Sequence, residues 1–160
     1  MIESISLFSF AQKSNLIEGI DDYGRHLKHA EALGKFLNYK DLRITRLEKF
    51  VKEIEPQAFL RSKPSHGVVI GGRAAPVPRV SVDMLDELLR NINMREIEPW
   101  KAHAEYEYIH PFIDGNGRSG RAVWLWMMVK LHGEEAAFRY PFLQAYYYQT
   151  LGDYAERKGG

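Results

Sequence analysis

The segment HPFIDGNGRSGR, residues 110–121, combines residue types that suit chemistry on a phosphate. The unperturbed pKa of histidine, about 6.5, leaves much of His110 neutral near pH 7, so its imidazole can accept a proton from an attacking hydroxyl. Asp114 offers one hard oxygen ligand, which is how Mg²⁺ is commonly held when substrate phosphates supply further contacts. The segment therefore predicts a general base beside a metal–nucleotide complex.

Glycines and arginines in the same segment predict the anion site itself. Gly115 and Gly117 let the backbone turn tightly, so that successive N–H groups at the start of a helix face one anion. Arg118 and Arg121 project from one helix face and carry forked donors that match phosphate oxygens. Together these residues predict a cradle for a polyphosphate tail. The competing interpretation is a glycine-rich helix cap in which Asp and Arg only pair with each other.

The elements that must position this segment are helices. Apolar residues recur at three- and four-residue steps through most of the chain, and no internal repeat is present, so the fold class is all-α. Ser14 and Ser81 are expected to cap helices, and Trp100, His103 and Ala104 are expected to face inward. The expected helices cover residues 14–18, 22–37, 42–54, 81 onward, 99–109, 117–131 and 141 onward.

The helical pattern is lost between residues 59 and 78, and residues 65–78 of this stretch are expected to form a hairpin. The β-branched run Val68, Val69 and Ile70 is bounded by Gly71 and further glycines and prolines, which predicts a small exposed hairpin. The exposed backbone of such a hairpin can align a target segment by strand addition, so we interpret it as a flap. An inert hairpin is the alternative.

Size and charge limit the protein classes to which the chain can belong. A chain of 160 residues with 45% apolar residues predicts one compact domain, residues 1–160. The formal net charge of +1 predicts neither nucleic acid nor an anionic membrane as a partner. The absence of Cys fits a reducing cytoplasm, the N-terminus lacks signal-peptide features, and the longest apolar run is too short to span a bilayer. We therefore expect a soluble cytoplasmic protein.

Residues 110–121 resemble the signature of Fic domains, with all its usual fixed positions present. His103, seven residues before His110 as in many members, agrees with this resemblance, and the hairpin resembles the family's target-binding flap. The resemblance covers nearly the whole chain and implies the all-α Fic fold. It also implies a protein adenylyltransferase, with ATP as co-substrate and Mg²⁺ as cofactor, that transfers AMP to a Ser, Thr or Tyr hydroxyl of a target protein.

The resemblance assigns a role to each matching residue of the signature. It implies His110 as base, Asp114 as Mg²⁺ ligand, Asn116 and Gly117 against the α- and β-phosphates, Arg118 on the departing pyrophosphate, and Arg121 on the γ-phosphate. The Doc-like kinases have Ala and Lys where this chain has Gly115 and Gly117, and they present the γ-phosphate instead. Gly117 therefore favours adenylyl transfer.

SNLIEG, residues 14–19, resembles the inhibitory motif of the same family, and its location resembles that of the class with an N-terminal motif. A spacing of four places Ser14 and Glu18 on one helical face. The resemblance implies that Glu18 pairs with Arg121 and removes the partner of the γ-phosphate. ATP then binds with its α-phosphate misplaced for in-line attack. The alternative is an ordinary helix start with a solvated Glu.

Several alternatives and weaker signals remain open from the sequence. The same site suits transfer of another nucleotide such as UMP, or removal of AMP, and a regulatory module that holds ATP without transferring it is the non-enzymatic rival. A homo-oligomer is left open, and Arg61 and Arg73 beside the hairpin receive no assignment. His26 and His29 are expected on a solvated helix face, in preference to a metal pair. The remaining aromatic clusters, expected in the core, are Trp100, Trp124 and Trp126, and Tyr146, Tyr147 and Tyr148.

Overall fold

A computed structural model describes residues 3–139 and residue 158 of the chain. The described part is mainly helical, with one two-stranded antiparallel hairpin, which confirms the all-α prediction. Its helices are α1 (Ser4–Ile17), α2 (Tyr23–Leu37), α3 (Ile44–Ile54), α4 (Pro78–Asn93), α5 (Pro99–Ile109), α6 (Asn116–His132) and α7 (Glu134–Phe138). The strands are β1 (Val69–Ile70) and β2 (Arg73–Ala74).

Helix α6 is the centre of the core. It packs against α1, α2, α3, α5 and α7, and the run from Ala122 to Met128 is buried on every side. A helix that is apolar all round needs such a central position, because no face of it can be left to water. The predicted core positions of Trp124 and Trp126 are confirmed. None of the helices in the described residues is long and apolar enough to cross a membrane.

Helices α2 and α3 follow the local signals closely. Asp22 caps α2, because its carboxylate accepts a hydrogen bond from the backbone N–H of Arg25 at 2.8 Å. Apolar residues at three- and four-residue steps form one face of α3, and this face is buried. Its members are Leu47, Phe50, Val51 and Ile54. Both helices contribute one face to the core.

The prediction of a short helix capped by Ser14 is wrong. Helix α1 begins at Ser4, and Ser14 lies buried in its last turn. The earlier residues are helical because α1 packs along α2, burying Ala11 and placing Leu7 and Phe10 against the core. Tertiary packing stabilises a segment whose own amphipathic pattern is weak.

Three further expectations about helices need correction. Helix α4 begins at Pro78, which suits a first helical position, so Ser81 is an interior residue and not a cap. Trp100 does not face inward as expected, since it is 39% exposed at the start of α5, although His103 and Ala104 are buried as predicted. Helix α7 was not expected, and it follows Gly133, where φ is 86°. The helix expected near residue 141, with its three tyrosines, lies outside the described residues.

The hairpin is present but narrower than residues 65–78. A 3₁₀ turn covers Pro64–His66, and α4 already begins at Pro78. Gly71 and Gly72 link the strands with φ of 55° and 80°. Two successive positive φ angles match the twist of a tight hairpin and strongly favour glycine. The residues of both strands are exposed to solvent.

Candidate active site

His110 lies at the junction between α5 and the signature loop. It ends α5 in the left-handed conformation, with φ 50° and ψ 63°, which is uncommon for a residue with a Cβ. Its N–H donates to the carbonyl of Tyr106 at 3.0 Å, and its own carbonyl accepts from Arg61 Nε at 2.6 Å. The backbone of the predicted base is therefore held from both sides.

Arg61 is a positioning residue that we did not predict. Its fully buried side chain donates to the carbonyls of His110 and Ile109, and to the hydroxyl of Ser81. It also donates to the carbonyls of His66 and Pro76, one on each side of the hairpin. The guanidinium of Arg61 thus links both ends of the hairpin to the backbone of His110. Arg73, by contrast, is exposed on β2.

The signature loop is also paired with an extended segment. Arg61 N–H donates to the carbonyl of Pro111 at 2.8 Å, and Ile113 N–H donates to that of Phe59 at 3.0 Å. Phe112, between these contacts, is fully buried and anchors the loop in the core. These bonds hold the signature loop against the extended segment.

Asn116 closes the loop with its side chain. Its Oδ1 accepts from the N–H of Phe112 at 2.9 Å, and its Nδ2 donates to the carbonyl of the same residue at 2.8 Å. The side-chain amide is therefore satisfied within the loop, and Asn116 lines the cavity described below. Ser119 adds a bond from its hydroxyl to the carbonyl of Gly115 at 2.7 Å.

The start of α6 has the backbone geometry that an anion cradle requires. Gly115 is its N-cap with φ 81°, a conformation that favours glycine, and the N–H of Ser119 donates to the carbonyl of Gly115 at 2.9 Å. The N–H groups of the preceding first turn have no carbonyl one turn earlier in the helix. This end of α6 also carries the positive end of the helix dipole, which favours an anion.

A cavity of about 330 Å³ brings the predicted residues together. It is lined by Glu18, Ile20, Arg25, Glu55, His110, Ile113, Asp114, Gly115, Asn116, Gly117 and Arg118. The cavity is therefore lined by the predicted base, the predicted magnesium ligand, two glycines and one arginine of the signature segment. Burial, reinforced by the charge of Arg61, lowers the pKa of His110 to about 4, so the imidazole is neutral and able to accept a proton near pH 7.

The donor set fits a magnesium ion that is held jointly with phosphate. The Asp114 side chain is 65% exposed on the cavity wall, and its Oδ1 accepts from the N–H of Gly115 at 2.7 Å. Across the described ranges, no cluster of three or more His, Cys, Asp or Glu could hold a metal ion alone. A single carboxylate with open surroundings suits Mg²⁺, which keeps waters and binds substrate phosphates.

Ser14, Glu18 and Arg121 are in direct contact. Arg121 is fully buried, with Nε donating to the Ser14 hydroxyl at 2.7 Å and Nη2 donating to the Ser14 carbonyl at 2.9 Å. Nη2 also donates to Glu18 Oε1 at 2.7 Å. Glu18 is the C-cap of α1 and not a residue within a helix as expected. The pair implied by the family resemblance is present in the structure.

Gly117 makes room for this pair. A Cβ at residue 117 would lie 2.0 Å from Glu18 Oε1 and 3.0 Å from Arg121 Nη1. Such contacts are too close for any side chain, so only glycine permits Glu18 to occupy this position. A lysine at this position, as in the Doc-like kinases, would displace the glutamate.

The expectation that His26 and His29 face solvent is wrong. Both are buried on the α1 side of α2, where Asn15 lies between them. Asn15 Nδ2 contacts His26 Nδ1 at 2.9 Å, and Asn15 Oδ1 contacts His29 Nδ1 at 2.8 Å. Burial, followed by the charges of Arg118 and Arg121, lowers the pKa of His29 to about 3. These contacts attach the last turn of α1, which carries Ser14, to α2.

Like Glu18, Glu107 has a partly buried carboxyl that interacts with the charge of Arg121. Burial raises its pKa to about 7, against the opposing charge of Arg121. Its Oε1 is out of contact with solvent and has no hydrogen-bond partner among the residues described. The carboxyl lies against Gly120, where a Cβ would be 2.4 Å from Oε1 and 3.0 Å from the ring of Tyr106.

We predict that Gly120→Ala lowers the free energy of unfolding by about 1 kcal/mol. Overpacking costs about 1–3 kcal/mol and outweighs the gain of about 1 kcal/mol from helix propensity. Urea unfolding followed by circular dichroism measures the change. Gly67→Ala is the control, because that residue has φ −65° and nothing within 4 Å of its Cβ position. Equal stability of the two variants would contradict the prediction.

The comparison with protein families agrees with this geometry. The family model described as Fic/DOC family matches residues 9–128, which is most of the chain. The matched range includes Glu18, the hairpin and the whole of residues 110–121.

Proposed function

This chain belongs to the Fic/DOC family, for which nucleotidyl transfer such as AMP transfer is typical, and we propose that it is an auto-inhibited protein adenylyltransferase. It moves AMP from ATP onto a Ser, Thr or Tyr hydroxyl of a target protein. One observation carries the proposal: a neutral His110 borders the same cavity as the glycine-lined start of α6, Asp114 and Arg118.

The chemistry follows from this arrangement. The target hydroxyl oxygen attacks the α-phosphorus, a new P–O bond forms, and the bond to the bridging oxygen of the β-phosphate breaks. Pyrophosphate leaves, and the hydroxyl proton moves to the imidazole of His110. The N–H groups of the first turn of α6 and the guanidinium of Arg118 stabilise the negative charge on the phosphates. Magnesium held by Asp114 and the phosphates would supply neutralising charge.

Auto-inhibition follows from the occupied guanidinium of Arg121. While Ser14 and Glu18 accept its hydrogen bonds, the γ-phosphate has no forked donor at this position. The carboxylate of Glu18 also lines the nucleotide cavity, where it repels phosphate. The nucleotide that does bind is displaced, and in-line attack on its α-phosphorus is lost.

The flap is proposed to align the acceptor. The hairpin is exposed. Arg61 donates to carbonyls at both of its ends and also to the carbonyl of His110, which fixes the hairpin next to the predicted base. A target segment that adds to β1, along Val68, Val69, Ile70 and Gly71, would bring its hydroxyl toward the base. Exposed Val69 and Ile70 offer apolar contact to that segment.

Intact-mass spectrometry tests the transferred group. The Glu18→Gly protein is incubated with Mg²⁺, a cell lysate and either ATP or UTP, and modified proteins are isolated. We expect the mass of AMP on target protein, or on the enzyme itself, with ATP and no comparable product with UTP. A phosphoryl mass would contradict the assignment and favour Doc-like chemistry. ATP binding without any mass shift would favour the non-enzymatic holding module.

Removal of AMP is a second candidate, favoured by one observation. The carboxylate of Glu18 borders the cavity that holds His110, so it could orient a water molecule toward an AMP-modified substrate. Wild-type protein that releases AMP from a target modified by the Glu18→Gly form would support this reaction. Stable modification in the presence of wild-type protein would exclude it for that target.

A further inference from the structure

One carboxylate oxygen in the cavity accepts hydrogen bonds from two arginines. Glu55 Oε1, at the C-terminal end of α3, contacts Nη2 of Arg25 and also Nη2 of Arg118, the latter at 2.8 Å. The three side chains differ in exposure: Arg118 is 3% exposed, Glu55 20% and Arg25 41%. All three line the cavity in which we place the nucleotide. Arg25 and Glu55 both lie outside the signature segment, residues 110–121.

Arg118 is incompletely satisfied by this carboxylate. Its Nε is buried without a hydrogen-bond partner in the described part of the chain, and Asp114 Oδ1 is 3.8 Å from its Nη2, beyond hydrogen-bonding distance. Buried donors of this kind are costly when unpaired. A phosphate group, with several acceptor oxygens, could satisfy this guanidinium more fully than one carboxylate oxygen does.

Arg25 is held where it can reach the same anion. Its backbone N–H donates to Asp22, the N-cap of α2, so the residue lies on the rigid first turn of the helix. Its guanidinium extends from there to Glu55 at the cavity wall. Unlike Arg121, it is not held by the Ser14 and Glu18 side chains.

The charged residues that line the cavity also indicate that a polyphosphate would displace Glu55. The lining includes the cations Arg25 and Arg118 and the carboxylates Glu18, Glu55 and Asp114, with His110 neutral. Asp114 has a use as a magnesium ligand, but Glu55 would only repel a polyphosphate if it stayed in place. Like a phosphate, this carboxylate offers the two guanidiniums an anionic acceptor oxygen, so the two groups compete for the same donors.

We propose that Arg25 is a nucleotide-binding residue of this chain and that Glu55 holds Arg25 and Arg118 in position until a polyphosphate replaces it. This inference rests on the proposed function, because it assumes that ATP occupies the cavity. Arg25 contacts the β- or γ-phosphate from α2. Glu55 is a positioning residue that competes with the ligand for both guanidiniums.

Isothermal titration with ATP, ADP and AMP tests the role of Arg25. In the Glu18→Gly background, Arg25→Gln is expected to raise the Kd for ATP about tenfold, the size expected for loss of one charge-assisted hydrogen bond. The Kd for AMP should change less than about twofold, since AMP lacks the distal phosphates. Arg25→Lys should restore part of the affinity. Arg90→Gln is the matched control, because Arg90 is exposed and pairs with Asp86 on α4, away from the cavity.

The Glu55→Gln variant distinguishes two roles for Glu55. In its placeholder role the carboxylate competes with phosphate for the arginines, and in a purely structural role it only orients them. If Glu55 competes with phosphate, the variant binds ATP several-fold more tightly, because the neutral amide is more easily displaced. If Glu55 only orients the arginines, the variant binds ATP more weakly, which would overturn its placeholder role. Unchanged ATP affinity in Arg25→Gln, with AMP transfer intact, would overturn the assignment of Arg25 and leave the proposed function standing. No ATP binding by the Glu18→Gly parent would overturn both.

Discussion

Replacing Glu18 with glycine is expected to raise AMP transfer by roughly 5- to 150-fold, the range that a coupling free energy of about 1–3 kcal/mol produces. The substitution removes the carboxylate that accepts from Arg121 Nη2 and that borders the nucleotide cavity. Arg121 is then available to the γ-phosphate, and the repulsion between Glu18 and the phosphates is lost. Transfer of label from α-labelled ATP to lysate proteins measures the effect.

Two controls separate release of Arg121 from a general loosening of α1. Glu18→Gln keeps the size of the side chain without its charge, and it should activate less than Glu18→Gly because an amide can still contact Arg121. Glu31→Gln removes an exposed charge from α2 and should leave labelling unchanged. Equal labelling by the wild-type and Glu18→Gly proteins would show that Glu18 does not restrain the site.

Removing the imidazole of His110 in the Glu18→Gly protein is expected to lower transfer by about 10²- to 10⁴-fold, the range for loss of a general base. ATP should still bind, because the glycine backbone of α6 and Arg118 are unchanged. Label transfer and isothermal titration together measure the two effects. His132→Ala is the matched control, since His132 is exposed at the end of α6. Retained transfer in His110→Ala would remove this residue from the mechanism.

The lowered pKa of His110 makes a further prediction about pH. Its base form is present above its pKa of about 4 and is lost as the pH falls through that value. The kcat/KM of the Glu18→Gly protein, which reports pKa values of the free enzyme, should therefore not titrate with His110 between about pH 6 and 8. A step at or below about pH 7 would come from Glu107, whose pKa is about 7 in the wild-type protein through burial and, in smaller part, the charge of Glu18, and Glu107→Gln should abolish it. A step near pH 7 that persists in Glu107→Gln would contradict this assignment.

Local signals in the sequence predict much of the fold. Asp22 as a cap, the apolar stripe of α3 and Pro99 at the start of α5 each act within one helix, so their effect can be read from neighbouring residues. The length of α1 could not be read in the same way, because its N-terminal residues are helical through packing on α2. Tertiary contacts determine that boundary.

The candidate site was predictable where it is contiguous in sequence. Seven residues between His110 and Arg118 line one cavity, because a loop and the helix that follows it necessarily lie together, whereas Arg121 is not among the lining residues. Arg61 and Glu55 reach the site from other elements, and an arginine or glutamate in isolation gives no sign of burial or of its partner. The burial of His26 and His29 was not predicted for a related reason. Buried histidines need a polar partner, and Asn15, which contacts both of them, lies on a different helix.

The most direct test of the central claim compares how much label reaches protein from α-labelled and from γ-labelled ATP. The Glu18→Gly protein is incubated in parallel with ATP labelled at the α- or the γ-phosphorus, with Glu18→Gly/His110→Ala as the blank. If the imidazole and the first turn of α6 align the α-phosphorus with an acceptor hydroxyl, the α-label becomes protein-bound and the γ-label leaves in pyrophosphate. Protein-bound γ-label, or α-label that survives in the blank, would contradict this geometry.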